Sequence, residues 1–380
     1  MSPAIRHSRA RVATRLAFLV AGFGISCWAP LVPYAKDRLG VDERVLGILL
    51  LCLGIGSVLA MFITGMLSSR FGTRPVILAS GFGLAVALPW LAIASTPLTL
   101  GVTLLLFGAA LGSLDVAMNI HAVEVEKDAG VPLLSGFHGL YSLGGFAGAS
   151  FITALLSVGL GPVPSVIIGA ALMLLAMVVT APRLLRTKSA DGESHFALPH
   201  GIVLVIAALT AITFLAEGSL LDWSALLITG MGLVDVEQGG TGYMLFSIAM
   251  TLARFFGDAL TARLGDRAMM LWGSLLAIAG FALLLLAPVV LVAMFAFVLI
   301  GLGAANVVPV LFRAAGGQKV MPPALAIAAI TTVGYAGILL GPAAIGFVAK
   351  HVGLQLAFWM IPALLLLVPV CVGIVTPRRR

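Results

Sequence analysis

Residues 69–74 read SRFGTR, and residues 262–267 read ARLGDR. At a constant offset of 193 residues, the pattern R-x-G-x-R occurs in both copies, at Arg70, Gly72 and Arg74 and at Arg263, Gly265 and Arg267. A weaker match, LFGAALGS at 106–113 with LIGLGAAN at 299–306, has the same offset. Two matches at one offset predict an internal duplication of the chain.

Both hexapeptides lie between long apolar runs. Of the 380 residues, 61% are hydrophobic and 10% are charged, and the mean hydropathy is +1.16. A soluble domain has roughly 25% charged residues, and the runs here have the length of about 20 residues that crosses a bilayer as a helix. They are continuous rather than alternating, which excludes a membrane β-barrel. The sequence predicts an all-α polytopic membrane protein.

Hydropathy and chain breaks predict twelve transmembrane helices in two six-helix pseudo-repeats. The predicted spans are 13–34, 45–68, 75–94, 98–120, 132–158, 163–181, 201–228, 241–262, 269–287, 289–312, 324–348 and 355–375. The polar stretch 183–200 lies near the midpoint, so we expect an N-terminal bundle (1–182), a cytoplasmic linker (183–200) and a C-terminal bundle (201–380). The first span follows several arginines, as in a signal peptide, but its apolar run is too long and lacks an Ala-x-Ala-like exit. We therefore interpret it as a retained helix.

Arginine and lysine predict the orientation. With a cytoplasmic N-terminus, 17 of the 22 basic residues fall on the cytoplasmic side, four fall outside and Arg254 lies within a span. Positive charge concentrates in cytoplasmic loops, so we expect a protein of the bacterial inner membrane with both termini on the cytoplasmic side. This bias accounts for the net charge of +7, and no nucleic-acid partner is implied. Cys27, Cys52 and Cys371 lie in predicted spans and indicate no disulfide framework.

The 6+6 plan, the basic central loop and the R-x-G-x-R turns after spans two and eight resemble the major facilitator superfamily over essentially the whole chain. That family's loop signature is a Gly followed by Asp-Arg-x-Gly-Arg-Arg. Here Gly65 is present, Ser69 replaces the acidic residue, and Asp258 supplies an acid in the second copy. The resemblance implies that the arginines and glycines of both turns take part in gating or a charge relay. The stretches LDVAMN (114–119), SGFHGLYSLGG (135–145), EGSLLDWS (217–224) and RFFGD (254–258) resemble a bacterial branch associated with rhizopine-type, inositol-derived compounds.

Two carboxylates interrupt span seven. Glu217 lies about 24 Å along the helix, on one face with Thr210, Thr213 and Ser224. This polar stripe favours a face that lines a cavity, where Glu217 would carry a proton or bind a cationic group; the alternative is a hydrogen bond that only fixes packing. Asp222 lies about 140° further round and is interpreted mainly as an end cap or inter-helix tie.

Spans four and five carry further polar candidates. Asp115 and Asn119 follow Gly108 and Gly112 at helical spacing, and small residues at this spacing allow a neighbouring helix to approach closely. Asp115 is either a proton or substrate group or a gate-end hydrogen-bonding residue. In span five, His138 and Tyr141 share a face, where the histidine could titrate and the tyrosine could bind a sugar-like ring. The alternative for His138 is a packed core histidine.

Span eight places Ser247, Thr251, Arg254 and Asp258 on one stripe. Arg254 and Asp258 are four residues apart and can pair, which would reduce the cost of burying both charges. In the family that the chain resembles, an acid at the position of Asp258 braces the cytoplasmic start of a helix in the other half, here span five. Substrate binding is the second hypothesis for Arg254.

Spans ten and eleven combine polar groups with helix breakers. Span ten contains Asn306 and Pro309; span eleven contains Thr331, Thr332, Tyr335 and Gly341-Pro342. Such breakers indicate bends of the kind that moving gates use. Span five has Ala149 and Ser150 where drug antiporters of the family have Gly-Pro, which argues weakly against that class.

The sequence therefore predicts a secondary active transporter of a small polar solute, sugar- or polyol-like, working by alternating access. Proton coupling through Glu217 or Asp115 is a hypothesis. An exporter of drugs or toxic amphiphiles is the alternative. A membrane enzyme is disfavoured because the chain has no HExxH, G-x-S-x-G or Walker-type motif. A non-transporting sensor is disfavoured because it would usually have an added soluble domain, and the polar stretch 183–200 is the longest here. We expect a monomer with no cofactor and no metal.

Overall fold

The computed structural model describes residues 3–41, 43–185, 198–235 and 240–376. Over these ranges all regular secondary structure is helical. The helices are α1 (Pro3–Trp28), α2 (Val32–Leu39), α3 (Glu43–Phe71), α4 (Thr73–Ile93), α5 (Pro97–Ala129), α6 (Leu134–Ser157), α7 (Pro162–Thr180), α8 (Ile202–Gly230), α9 (Thr241–Leu285), α10 (Val290–Ala304), α11 (Val307–Gly317), α12 (Pro323–Val352), α13 (Leu354–Phe358), α14 (Met360–Leu365) and α15 (Leu367–Val375). A short 3₁₀ helix, Ala29–Leu31, joins α1 to α2.

Eleven helical stretches among the described residues are long and apolar enough to cross a membrane, where twelve spans were predicted. The difference arises in α9, which runs through the predicted spans 241–262 and 269–287 with a single non-helical residue, Gly265. Predicted span ten corresponds to α10 and α11, which are separated by a break at Asn306. The predicted all-helical architecture is therefore confirmed, and the kink at Gly265 divides α9 into two arms that correspond to the predicted spans eight and nine.

The chain divides into two compact units. The first comprises Met1–Gly130 and Phe137–Ala197, and the second comprises Val131–Gly136 and Leu198–Arg380. Of the predicted linker, residues 186–197 lie outside the described residues, as do residues 378–380, which carry part of the predicted cytoplasmic charge. The short segment 131–136, which includes the first turn of α6, groups with the second unit.

Backbone geometry repeats at the offset that the sequence indicated. Gly72 has φ 80° and ψ 164°, and Gly265 has φ 79° and ψ 160°, a region that favours glycine because it has no Cβ. Helix contacts repeat as well. A Cβ on Gly108 would lie 2.0 Å from the carbonyl oxygen of Leu53, and a Cβ on Gly301 would lie 2.4 Å from that of Phe246. Each pair differs by 193 residues, so the same close approach of two helix backbones is built in both units.

Polar ties hold helix ends within the first unit. Arg38 of α2 donates from Nε, Nη1 and Nη2 to the carbonyl oxygens of Ala94, Ala92 and Leu91, at 2.9, 2.6 and 2.9 Å. These carbonyls end α4 and have no helical partner of their own, so one guanidinium satisfies the end of the helix.

A buried histidine ties three segments together. Leu185 N–H donates to His121 Nε2 at 3.0 Å, which leaves the proton on Nδ1 to be donated to Thr14 Oγ1 at 3.1 Å. Thr14 in turn donates to the carbonyl oxygen of Ala10. His121 is fully buried and neutral in this arrangement, and it joins α1, α5 and the chain that follows α7.

Candidate functional site

Two charged side chains meet inside the second unit. Glu217 on α8 places Oε1 3.7 Å from Nη2 of Arg254 on α9, and their side chains are 21% and 9% exposed. Glu217 Oε1 is itself buried and accepts no hydrogen bond. The distance between these two atoms is longer than a hydrogen bond, so this contact is an ion pair.

Arg254 also donates a hydrogen bond to a backbone carbonyl that Pro309 leaves without a helical partner. Pro309 has no N–H, so the carbonyl of Ala305, four residues earlier, has no partner within the helix. Arg254 Nε donates to this carbonyl oxygen at 3.2 Å. The helix is broken at this place, since Asn306 has φ −109° and ψ 0° between α10 and α11. One helix breaker thus both bends the chain and provides the acceptor for a buried cation.

Asn306 lies at the same break. Its Nδ2 donates to the carbonyl oxygen of Ala253 at 3.4 Å, whereas its Oδ1 is buried and accepts no hydrogen bond. Gly257 makes room for this amide, because a Cβ there would lie 1.9 Å from Asn306 Oδ1 and 2.8 Å from Ser135 Cβ. Arg254 therefore links the two other residues: it contacts Glu217 on α8, and its neighbours on α9, Ala253 and Gly257, contact Asn306 at the α10–α11 break.

Asp258 contacts the first turn of α6. Its two carboxylate oxygens accept hydrogen bonds from the backbone N–H groups of Ser135 and Gly136, at 2.9 and 2.8 Å. These N–H groups belong to the four at a helix start that have no helical acceptor, and the helix dipole favours a negative charge there. This is the geometry that the sequence hypothesis of a brace requires; its role as a gate stays a prediction.

The polar stripe of α8 is packed within its unit. Thr210, Thr213 and Ser224 are each at most 2% exposed, and both threonine hydroxyls donate to carbonyls of their own helix. The cavity beside Glu217 measures about 10 Å³, about the size that holds one water molecule. It is lined by Thr213, Ala216, Glu217, Leu220, Phe246, Ser274, Ala277, Phe281, Ile300, Ala304, Val307, Leu365 and Val368.

Aromatic side chains lie on the helices that carry the ion pair. Tyr335 of α12 meets Phe214, one turn before Glu217, edge to face at 6.3 Å. Tyr243 of α9 contacts Phe246, with ring centroids 5.7 Å apart, and Phe246 lines the cavity beside Glu217. The sequence reasoning missed Tyr243, although its spacing of 11 residues from Arg254 on one helix was a usable signal. Asp222 is exposed, next to Trp223, which packs against Gly346.

The first unit holds the remaining candidates. Asn119 Nδ2 donates to the backbone oxygen of Asp115 at 2.9 Å and lies 3.4 Å from its Oδ1. His138 packs edge to face on Phe18 at 5.2 Å. The Tyr141 carbonyl oxygen would lie 2.1 Å from a Cβ on Gly22.

The positions equivalent to the ion pair are apolar in the first unit. Glu217 corresponds to Gly24 and Arg254 to Met61 at the offset of 193. Met61 is fully buried, and a Cβ on Gly24 would lie 2.7 Å from Met173 Cε. The first unit therefore has a glycine and a methionine at the positions of the carboxylate and the guanidinium.

The R-x-G-x-R turn of each unit lies near the end of another helix. Arg74 Nε donates to the Ala181 carbonyl oxygen at 3.2 Å, at the end of α7. Arg267 Nη2 would lie 3.9 Å from a Cβ on Gly373, near the end of α15. Arg70 lies over the Phe71 ring, 5.3 Å from its centroid, and Arg263 is exposed. Among the described residues no three His, Cys, Asp or Glu side chains are grouped as a metal site would require.

The chain matches one protein family and several bacterial membrane proteins. The Major Facilitator Superfamily model matches residues 15–318 and 234–380. An uncharacterized MFS-type transporter of Yersinia pestis is 48% identical over 96% of both chains. An uncharacterized transporter of Sinorhizobium fredii is 32% identical, covering 90% of this chain and 92% of that one, and the membrane protein MosC of Rhizobium meliloti is 30% identical, covering 96% and 89%.

Solved structures agree in fold. The transporter FucP in its outward conformation aligns with a TM-score of 0.79 at 15% identity, covering 97% of this chain and 99% of that chain. The proton:xylose symporter XylE aligns at 0.78 and 12% identity, covering 97% and 96%. The family consists of transporters rather than enzymes, and the bacterial relatives imply a multi-pass protein of the cytoplasmic membrane. The chain belongs to the major facilitator superfamily and is a secondary transporter.

Proposed function

We propose that the protein couples proton movement to transport of a small polyhydroxylated solute, with Glu217 as the proton-carrying group. The observation that supports this most directly is the 3.7 Å contact between Glu217 and Arg254, in which the carboxylate oxygen accepts no hydrogen bond. A carboxyl group that lies beside a cation in otherwise apolar surroundings is the kind of group that intramembrane proton relays use.

The electrostatics of the pair give a mechanism. Proton binding neutralises Glu217 and removes its attraction for Arg254, while Arg254 keeps the Ala305 carbonyl as its acceptor. The contact between α8 and α9 therefore has two states that differ by one proton. A proton gradient shifts the balance between conformations only if they differ in proton affinity, and a breakable ion pair supplies such a difference.

We infer the class of solute from the polar side chains near the ion pair and from the similarity of the chain to other transporters. Amide, phenol and carboxyl groups bind hydroxyls. Tyr243 provides such a group on α9, Asn306 at the α10–α11 break and Tyr335 on α12. The sequence resembles a branch associated with inositol-derived compounds. FucP, described as a fucose:proton symporter, and XylE, described as a proton:xylose symporter, share the fold. We therefore favour a sugar- or polyol-like solute, with Asp115, Asn119 and His138 as further candidates.

Asp258 is proposed as a gate element. Its bonds to Ser135 and Gly136 hold the start of α6, so a conformational cycle that moves this turn must break two charge-assisted hydrogen bonds. In the proposed orientation, with both termini cytoplasmic, this clasp lies at the cytoplasmic side. Single-cysteine labelling in right-side-out vesicles tests the orientation.

The test begins with ligand identification. A thermal-shift screen of purified protein against inositols, hexoses, pentoses, amino sugars and lipophilic amines identifies a stabilising compound, because a ligand that binds the folded state raises its stability. Stabilisation by lipophilic amines alone would favour the exporter alternative and contradict the polyol proposal.

Uptake of the identified compound is then measured in proteoliposomes with and without an inward proton gradient. We expect gradient-driven accumulation in the wild type, its loss in Glu217→Gln, and its retention in Asp222→Asn, which neutralises an exposed carboxylate five residues along the same helix. Gradient-driven accumulation in Glu217→Gln at the wild-type level would exclude Glu217 as the coupling group.

A further inference from the structure

An open groove of about 500 Å³ runs along α9 and α10 of the second unit. Its lining is apolar except for one amide and consists of Leu252, Ala253, Phe256, Leu260, Leu264, Ala268, Met269, Trp272, Gly273, Leu276, Leu302, Gly303 and Asn306. Phe256 and Trp272, on the two arms of α9, are 71% and 66% exposed and form prominent walls. None of these residues, apart from Asn306 and its neighbour Ala253, belongs to the site described above.

Glycine creates the floor of the groove. A Cβ on Gly273 would lie 2.7 Å from the Gly303 carbonyl oxygen, and one on Gly303 would lie 2.4 Å from Ala277 N. The second arm of α9 and α10 therefore touch through their backbones, and no side chain fills the space above them. At the offset of 193, the first unit has Ser80 and Ala110 at these two positions, so both side chains that are missing here are present there.

The length of the groove matches one leaflet of a bilayer. Leu252 and Leu264 mark its extent along the first arm of α9, and twelve residues of helix span about 18 Å. The hydrocarbon core of a bilayer is about 30 Å thick, so the acyl chains of one leaflet occupy about 15 Å. The groove is thus long enough to take most of one acyl chain lying parallel to α9.

One end of the groove is positively charged. Leu264 and Ala268 flank the turn at Gly265, where Arg263 is exposed three residues after Leu260 and seven after Phe256, on the face that forms the groove wall. The acid of this turn, Asp266, is paired with Arg313 and so is already neutralised. Basic groups at the end of an apolar groove between membrane helices are complementary to an anionic lipid headgroup.

We propose that this groove binds an anionic phospholipid, with one acyl chain between α9 and α10 and the headgroup phosphate at Arg263. The bound chain covers the surface that Gly273 and Gly303 leave open, and it contacts Ala253 and Asn306 directly behind Arg254. The lipid is thereby in packing contact with the α10–α11 break, and its occupancy supports the conformation in which Ala305 accepts from Arg254.

Lipid binding is measured by the quenching of Trp272 fluorescence, which is obtained as the difference between the wild type and Trp272→Phe. Phosphatidylglycerol or phosphatidylcholine with brominated acyl chains is the quencher and is titrated into mixed micelles that contain the protein. We expect half-maximal quenching of Trp272 at about fivefold lower mole fraction of phosphatidylglycerol than of phosphatidylcholine, which corresponds to about 1 kcal/mol for one basic residue near a headgroup.

Variants separate the acyl chain from the headgroup. Arg263→Gln should remove the preference for phosphatidylglycerol, whereas Arg70→Gln, the same change at the equivalent turn of the first unit, should keep it. Ala268→Phe should fill the groove and abolish the saturable quenching by both lipids. If Ala268→Phe does not fold, unlabelled long-chain phosphatidylglycerol must relieve the quenching of the wild type, while dihexanoyl phosphatidylglycerol and inorganic phosphate must not.

Two results would overturn the proposal. Equal quenching by both lipids shows that Trp272 senses only the bulk lipid around the protein. Relief of quenching by inorganic phosphate or by the short-chain lipid shows a headgroup site at Arg263 without a bound chain.

Discussion

Replacing Arg254 should lower the free energy of unfolding, and the size of the loss should depend on whether Glu217 is present. At 3.7 Å and an effective dielectric constant near 20, the two charges attract by about 4 kcal/mol, most of which offsets the desolvation of both groups. Arg254→Met also loses the hydrogen bond to the Ala305 carbonyl, worth about 1.5–3 kcal/mol for a charged donor. We expect Arg254→Met to lower the free energy of unfolding by about 3 kcal/mol and Glu217→Gln to lower it by about 1 kcal/mol.

A double-mutant cycle isolates the contact. Unfolding is followed by circular dichroism in mixed micelles of mild detergent and dodecyl sulfate, for the wild type, both single variants and the double variant. We expect the double variant to be about 1–2 kcal/mol more stable than the sum of the single losses predicts, because removing the second partner costs little once the first is gone.

Pro309→Ala provides an independent check of the geometry. It returns an N–H to the helix, which gives the Ala305 carbonyl a backbone partner, so Arg254→Met should cost about 1 kcal/mol less in that background. Additive losses within about 0.5 kcal/mol in the Glu217–Arg254 cycle would refute the reasoning, since residues in contact must couple.

Three further changes test the packing that supports the site. Gly257→Ala should destabilise the protein by about 1–3 kcal/mol, because its Cβ would lie 1.9 Å from Asn306 Oδ1, whereas Gly230→Ala, where a Cβ meets nothing within 4 Å, should be neutral in the same unfolding assay. Arg38→Ala should cost about 2 kcal/mol, since three carbonyls of the α4 end lose their donor, and Arg38→Lys should recover only part; equal stability of the two variants would contradict the cap. His121→Phe should cost about 2 kcal/mol and speed trypsin cleavage after α7, because Leu185 loses its acceptor; an unchanged cleavage rate would show that the tie does not hold that segment.

Much of the fold could be predicted because membrane helices are recognisable in a sequence by their length and apolar content. The repeat was also readable, and the matching backbone angles of Gly72 and Gly265 are its structural counterpart. The predicted spans eight and nine correspond to the two arms of α9. The connection between them is short because Gly265, with φ 79° and ψ 160°, accommodates the change of direction.

The site was harder to predict because its contacts join distant segments. Spacing along α9 indicated only the neighbours of Arg254 and Asp258 on their own helix. The structure also brings Glu217 and Ala305 to Arg254, and Ser135 and Gly136 to Asp258. Helical periodicity gives the face of a residue but not the helix that the face meets.

Some of the missing information was nonetheless present in local chemistry. A proline at 309 leaves the carbonyl at 305 without a partner, and a buried arginine on a neighbouring helix is a suitable donor. Conversely, a stripe of threonines is weak evidence for a wet surface, because Thr210 and Thr213 satisfy their hydroxyls on their own helix.

The methionine that stands at the position of Arg254 in the first unit bears on how the two copies can evolve. A methionine exchanges for leucine or isoleucine at little cost, so Met61 can change by single substitutions. An ion pair is more constrained, since a substitution that removes one charge leaves the other buried without that partner. A saturation-mutagenesis survey should therefore find more substitutions tolerated at 61 than at 254, the equivalent position of the second unit.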